Sequence, residues 1–379
     1  MSARRLRILL VTTDFPPSIG GIQQWTSQLA AQLAERHEVT VIAPGQQGAG
    51  TFDAAAPYRV ARFPGYGPRP LSLGALTAAT LRELTRRRPD IVFCGHVFAA
   101  VAVRGLCRRF HVPYVVAAYG MELQAHRVQP YLRDVLGGSA ATITISRHTA
   151  ELMREKGAAP DHTTLVGVGV PPALPLAPRR SVDEFPGLPQ PRGPVILTVA
   201  RLDERYKGHD TMLHALPLIA ARVPDVTYVV TGDGRYRGYY GDMAAALGIS
   251  DRVVFTGKVG DDERLALYDR CDLFALISRV SIDGGAEGFG IVFLEAAARG
   301  KPSVGGRSGG VLDAIVDGET GLLVDPTNIE AVADACTRLL QDRDLAQRMG
   351  AAGRDRVCKQ YLWERVAAGV EAALLKAAL

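Results

Sequence analysis

Arg7-Ile8-Leu9-Leu10-Val11-Thr12-Thr13-Asp14-Phe15-Pro16-Pro17-Ser18-Ile19-Gly20-Gly21 is the stretch that decides the fold. A short apolar run enters a Pro-Pro/Gly-Gly loop, and Trp25, Leu29 and Leu33 then recur four apart, the spacing of one buried helix face. Residues 39–43 follow as a second apolar run. Strand, loop, helix and strand in this order predict a parallel sheet covered by helices on both faces. Runs at 91–94, 114–118 and 141–145 continue it as further buried strands.

Between residues 171 and 194 stand eight prolines in 24 positions, a density that excludes a helix or a central strand. Beyond it the rhythm restarts, with strands expected at 195–200, 226–231, 253–256 and 273–277 and helices at 210–222, 265–268 and 291–299. The fold class is therefore α/β, with two Rossmann-like, doubly wound domains. The expected division is 1–175, a Pro-rich linker 176–194, a second domain 195–360, and a C-terminal helix 361–379 that can pack back across the cleft. Residues after 329 are helical in pattern almost throughout.

A chain of 379 residues, 47% hydrophobic and 22% charged, has the length and apolar content for two separate cores, which excludes a disordered or fibrous protein. No apolar run approaches the roughly 20 residues of a membrane span. The apolar run behind Arg4, Arg5 and Arg7 stops at Thr12, short of a signal-peptide core, so a cytoplasmic location is expected. The five cysteines include no Cys-x-x-Cys pair and read as reduced structural thiols. Residues 1–175 hold 19 Lys+Arg against 11 Asp+Glu, a balance of +8, and the remainder holds 25 against 28, a balance of −3.

In open α/β sheets ligands bind beyond the carboxyl ends of the strands. Gly20-Gly21 before a helix lets backbone N–H groups approach an anion, and also suits a plain turn. Neither this loop nor Gly232-Asp233-Gly234, whose next glycine is Gly238, has the Gly-x-Gly-x-x-Gly spacing of a dinucleotide site, which disfavours a nicotinamide enzyme. Arg201 and Lys207, on one strand-to-helix loop, suit a diphosphate, the first as a bidentate fork and the second as a point charge. The richest segment runs Asp283-Gly284-Gly285-Ala286-Glu287-Gly288-Phe289-Gly290-Ile291-Val292-Phe293-Leu294-Glu295. Its glycines free the backbone beside Glu287, and a helix opens at Ile291 and carries Glu295 among apolar neighbours. Two acids around one diphosphate site can bind sugar and ribose hydroxyls separately. The alternatives are a helix-start acid for Glu287 and a solvated face for Glu295.

At these residues the sequence resembles the retaining glycosyltransferases of family 4, which have the GT-B fold of two facing Rossmann-like domains with an interdomain cleft. It looks closest to the phosphatidylinositol mannosyltransferase-like branch. The resemblance runs over essentially the whole chain and includes residues 255–259, Ser308-Gly309-Gly310 and residues 318–324. It implies a retaining, metal-independent hexosyltransferase that needs no cofactor beyond its donor, a nucleotide-diphosphate sugar of GDP or UDP type. The N-terminal domain would take the acceptor, lipid-linked, glycan or small molecule, and the C-terminal domain the nucleotide sugar. Arg201 and Lys207 would bind the diphosphate, Glu295 the ribose, Glu287 the transferred sugar, and the backbone at Phe289, Gly290 and Ile291 the phosphates or sugar. Main chain near Val259 would meet the base, and Gly20 and Gly21 would lie under the phosphate and acceptor.

One position departs from the family. Where relatives commonly carry His-Gly-x-Glu, this chain has Tyr119-Gly120-Met121-Glu122. A phenol with an ordinary pKa of about 10 cannot reproduce imidazole protonation near neutrality. Tyr119 contacts the donor sugar differently, serves another donor, or marks weakened activity; His96 is a candidate substitute or a structural histidine. The competing readings are therefore a nucleotide-sugar-binding protein with weak or lost transfer, and a phosphorylase or epimerase on the same fold. Asp342-Arg343-Asp344 reads as a solvated turn, not a metal site. Arg82, Arg86, Arg87 and Arg88, with Arg104, Arg108 and Arg109, form a basic helical surface that suits either solvent or an anionic membrane. No recognition motif for nucleic acid accompanies that charge.

Overall fold

The computed structural model describes residues 4–379 apart from 19, 66–68, 126, 127, 282 and 283. Asp283 and parts of the loops 57–73 and 122–133 thus lie outside the described residues. The chain forms two compact units, one made of Met1–Gly169 with Trp363–Leu379 and the other of Val170–Leu362.

The first unit is built on strands β1 (Arg7–Val11), β2 (Glu38–Pro44), β3 (Arg59–Phe63), β4 (Ile91–Cys94), β5 (Tyr114–Ala118), β6 (Ala141–Thr144) and β7 (Thr163–Leu165). They lie in the order β3-β2-β1-β4-β5-β6-β7, all parallel. The central strands are buried on both faces, which is why they read as unbroken apolar runs. Trp25, Leu29 and Leu33 are the buried stripe of the helix Gly21–Ala34, as their spacing predicts. The C-terminal helix Trp363–Ala377 packs into this same unit: Glu371 accepts from Arg36 at 2.7 Å and pairs with buried His37 at 3.1 Å.

The second unit carries β8 (Val195–Val199), β9 (Thr227–Thr231), β10 (Val253–Gly257), β11 (Leu273–Leu276), β12 (Ser303–Gly306) and β13 (Gly321–Val324). Their order is β10-β9-β8-β11-β12-β13, again all parallel. In both sheets the order of strand addition reverses beside the first strand, at β1/β4 and β8/β11, the topological switch points where ligands sit in such folds.

The segment expected as a linker, 176–194, belongs to the second unit. Its docking has a definite cause. Buried Arg299 donates to the carbonyls of Leu174, Ala177 and Pro178 and makes a two-pronged ion pair with Asp269, at 2.8 and 2.6 Å. Asp269 also binds Arg179 at 2.6 Å and the backbone N–H of Arg180 at 2.9 Å. The prolines leave this stretch without an α-helix or strand, and the arginine supplies hydrogen bonds to three carbonyls at its start.

Candidate active site

The site grows from the carboxyl edge of the second sheet. After β8 the backbone is pinned to the loop after β9: Ala200 donates to Thr231, Leu202 to Asp233, and Tyr236 back to Leu202, all at 3.0 Å. A short turn, Arg205–Lys207, then meets Gly208 at φ +74°, where a Cβ would lie 1.8 Å from the Ile277 carbonyl oxygen. Only glycine fits there, and its approach to the end of β11 carries Lys207 to the second acidic loop.

Lys207 Nζ and Glu287 Oε2 are 2.6 Å apart, each side chain 13% exposed. Burial opposes the ammonium, but the Glu287 carboxylate outweighs it with help from Tyr206 and Glu204, and the lysine pKa lies above its ordinary value. Nζ also sits 5.1 Å over the Tyr206 ring. The Glu287 carbonyl accepts from Gly310 N at 2.8 Å, so the Ser308-Gly309-Gly310 turn supports the loop from beneath.

Gly290, at φ +89°, starts the helix Ile291–Ala298 with no side-chain cap, so its first amides keep their donor capacity beside Glu287. About one turn along, Glu295 is buried. Tyr268 Oη donates to its Oε2 at 2.8 Å, and Arg264 lies 3.7 Å from Oε1. Burial raises the carboxyl pKa despite Arg264 and Tyr268, which both act to lower it. Arg264 and Tyr268 belong to the helix Asp261–Arg270, whose N-terminus directly follows partly exposed Val259. One helix therefore links the loop expected to meet a base with the acid expected to meet a ribose.

Lys207, Glu287, Gly290 and Ile291 are thus assembled at one edge, with Phe289 buried edge-on against Tyr361 at 5.6 Å. Arg201 departs from the simple picture of two free cations. Its side chain is 71% exposed and its guanidinium is held 2.8 Å from Glu204 within its own loop.

In the first unit Gly20, in extended conformation, precedes the helix Gly21–Ala34, which no side chain caps, and Gly21 faces open space. Tyr119 is buried: its hydroxyl donates to the Gly95 carbonyl at 3.0 Å and its ring lies edge-on to Trp25 at 5.4 Å. Burial pushes its pKa far above the ordinary phenol value, so it stays neutral. His96 caps the helix Val97–Phe110, Nδ1 accepting from Phe98 N at 3.2 Å, and stacks on the Phe98 ring. Asp342 likewise serves as a cap, accepting from Leu345 N at 2.9 Å. Of the basic surface, Arg87 pairs with Glu38, Arg88 donates to the Phe110 carbonyl, and Arg104 and Arg108 share Asp134. Arg82, Arg86 and Arg109 are exposed, and have no carboxylate partner among the described residues.

Two parallel Rossmann-like sheets, with cations and acids gathered beyond the strand ends of one, have the architecture of the GT-B fold. The sequence pattern of Glycosyltransferase Family 4 matches residues 19–174, and that of Glycosyl transferases group 1 matches residues 181–356. The GDP-mannose-dependent alpha-(1-6)-phosphatidylinositol monomannoside mannosyltransferase of Mycobacterium tuberculosis is 34% identical, over 96% of this chain and 96% of that one. The corresponding enzyme of Mycolicibacterium smegmatis is also 34% identical, over 94% and 95%. The Anabaena protein HepE, solved with UDP, superposes with a TM-score of 0.82 at 20% identity, over 97% of this chain and 99% of that one. A glycosyltransferase from Rickettsia africae gives 0.80 at 18% identity, over 97% and 98%. The chain belongs to glycosyltransferase family 4 and is a glycosyltransferase.

Tyr268 and Arg264, which hold Glu295, and Glu204, which holds Arg201, are absent from the sequence reading. So is Arg279, which grips Asp210 with two hydrogen bonds at 2.9 and 2.7 Å and ties the acidic loop to the helix His209–Ala220. No local pattern marks the partners of Glu295 and Asp210, which are recruited through the fold, whereas Glu204 lies only three residues from Arg201 on the same loop.

Proposed function

We infer that this protein transfers a hexose, with retention of anomeric configuration, from a nucleoside-diphosphate sugar to an acceptor hydroxyl. The second unit holds the donor and the first takes the acceptor. The observation that carries this reading is the 2.6 Å Lys207–Glu287 pair beside the uncapped helix start at Gly290. Full-length relatives at 34% identity that are named for GDP-mannose favour a GDP-linked mannose as donor.

In this reading Arg201 and Lys207 neutralise the charge that develops on the leaving diphosphate, the task a divalent cation performs in other transferases. Glu287 accepts hydrogen bonds from the sugar and fixes it, while Glu295 Oε1 receives the ribose hydroxyls. The acceptor oxygen forms its bond to the anomeric carbon on the face from which the diphosphate departs. Its proton passes to the departing phosphate oxygen. The backbone at Phe289, Gly290 and Ile291 faces the phosphates, main chain at Val259 the base, and the Gly20-Gly21 loop the acceptor side. Tyr119 shapes the acceptor-side wall through its ring, since its hydroxyl is engaged by Gly95.

The acceptor proposed is lipid-linked and anionic at its head group. Exposed Arg82 and Arg86, with Leu81 on the same helix 41% exposed, suit peripheral contact with an anionic membrane surface. Among the described residues no helix is long and apolar enough to cross one. Incubation with GDP-mannose and a phosphatidylinositol mannoside in EDTA tests the reading. The expected product carries an α-linked mannose by NMR. A β-linked product, or release of mannose only as the free sugar, overturns it.

A further inference from the structure

We propose that Glu204 is a competitor built into the donor loop, holding Arg201 while the site is empty and reclaiming it from the diphosphate when the product leaves. This rests on the reading that Arg201 binds the donor diphosphate.

Three observations carry it. Arg201, the more exposed of the two candidate phosphate ligands, is paired with Glu204 at 2.8 Å, so both of these ligands are neutralised, one by Glu204 and the other by Glu287. Next, the frame around Glu204 is rigid. Leu202 is bonded to the next loop through both its N–H and its carbonyl, Arg235 N donates to Asp203 Oδ1 at 2.9 Å, and Gly208 closes the turn against Ile277. Arg201 can therefore move by side-chain rotation while Glu204 stays in place.

The third observation is that Glu204 is poorly provided for as a purely structural acid. Its side chain is only 21% exposed, and Oε2 is buried without a hydrogen-bond partner among the described residues. A carboxylate kept with one oxygen unsatisfied costs stability, and here its other oxygen lies against an exposed guanidinium. Such a group acts on what the guanidinium does. A diphosphate with two or three negative charges outbids a single carboxylate for the arginine fork, so binding proceeds. Each visit nevertheless ends with Glu204 ready to take the arginine back, which shortens the lifetime of the nucleoside diphosphate on the enzyme.

The test is calorimetric binding of GDP, in EDTA, to the full-length wild type, Glu204→Gln, Arg201→Ala and the double variant, with melting curves confirming that each is folded. An exposed pair of this kind, plus removal of one nearby negative charge, predicts GDP binding about three- to tenfold tighter in Glu204→Gln. Stopped-flow dissociation should slow by a similar factor, and kcat should fall if release limits turnover. In the Arg201→Ala background the same change should produce no tightening. Equal or weaker binding by Glu204→Gln overturns the inference, as does equal tightening without Arg201, which would mean general charge repulsion. A wild type that binds no GDP removes the donor-site reading and this inference with it. A wild type that binds while Glu204→Gln is unchanged removes this inference alone.

Discussion

Glu287→Gln is the substitution that separates positioning of the sugar from binding of the diphosphate. It keeps the side chain's shape and one oxygen to accept from Lys207, and removes the charge. Losing one partner of a fully buried ion pair costs about 3–5 kcal/mol. Here each side chain is 13% exposed and the amide retains a hydrogen bond, so about 1–2 kcal/mol is expected. For a chain of 379 residues that is a fall of roughly 1–3 °C in melting temperature. Burial then acts on Lys207 without the carboxylate that offset it, and its pKa moves down. The diphosphate still meets Arg201 and Lys207, so GDP affinity should stay within about threefold of the wild type. Turnover should drop about 10²- to 10³-fold, or roughly 3–4 kcal/mol, because the hydrogen bonds that fix the sugar are weakened where they matter. Steady-state kcat and donor KM, set beside GDP binding by calorimetry, measure both sides. A kcat within threefold of wild type refutes the reasoning. So does GDP affinity that falls in step with kcat, because Glu287 would then act only as a scaffold for Lys207.

Further expectations rest on other groups. Gly290→Ala places a Cβ 2.6 Å from Phe293 Cδ2 at φ +89°, and should cost about 2–3 kcal/mol in denaturant unfolding as well as turnover. The buried Glu295 carboxyl has a raised pKa, so the folded state binds its proton more firmly than the unfolded chain does. The destabilisation from its buried charge is therefore relieved as pH falls through that raised value, while donor affinity should fall over the same window. Glu295→Gln should abolish this acid-induced rise in donor KM, measured from pH 7.5 to 4.5. Burial holds the His209 pKa down to about 4, so below the ordinary value of 6.5 the unfolded chain binds the proton that the folded chain refuses. Stability should be lost as pH falls, by about 2 kcal/mol between pH 7 and pH 5. His209→Phe should flatten that part of the unfolding curve, and an unchanged acid dependence would assign the loss elsewhere.

What was legible in the sequence is what depends on local pattern. β1 and β4 are buried on both faces, so their apolar runs announce them, and Trp25, Leu29 and Leu33 mark a helix face by spacing alone. β3 escaped because it is an edge strand whose Arg62 is spent on Asp53 and on the carbonyls of Pro16 and Pro44, and no alternation of apolar and polar residues survives that use. The proline-dense stretch showed that it could not be helix or central strand. That it packs on the second unit depends on Arg299, more than 100 residues further along the chain.

The candidate site divides in the same way. Lys207, Glu287 and Glu295 stand in short motifs with glycines at fixed places, so the residues themselves were identifiable. The partners that set their behaviour were not. Tyr268 and Arg264 reach Glu295 from a helix that is legible as a helix at 265–268 but carries no mark of which residues it turns toward Glu295. Tyr119 was recognisable as a departure from the family, but its engagement with Gly95 arises where β4 and β5 end side by side.

The proposed transfer requires a nucleoside-diphosphate site in the second unit. Thermal unfolding with GDP-, UDP- and ADP-sugars and the free diphosphates, each at up to 100 times its dissociation constant, tests it most directly. A ligand at that ratio adds about 2.7 kcal/mol to stability. The prediction is a clear rise in melting temperature for GDP and GDP-mannose, reduced in Lys207→Ala. A melting temperature that no nucleotide moves would contradict the central claim.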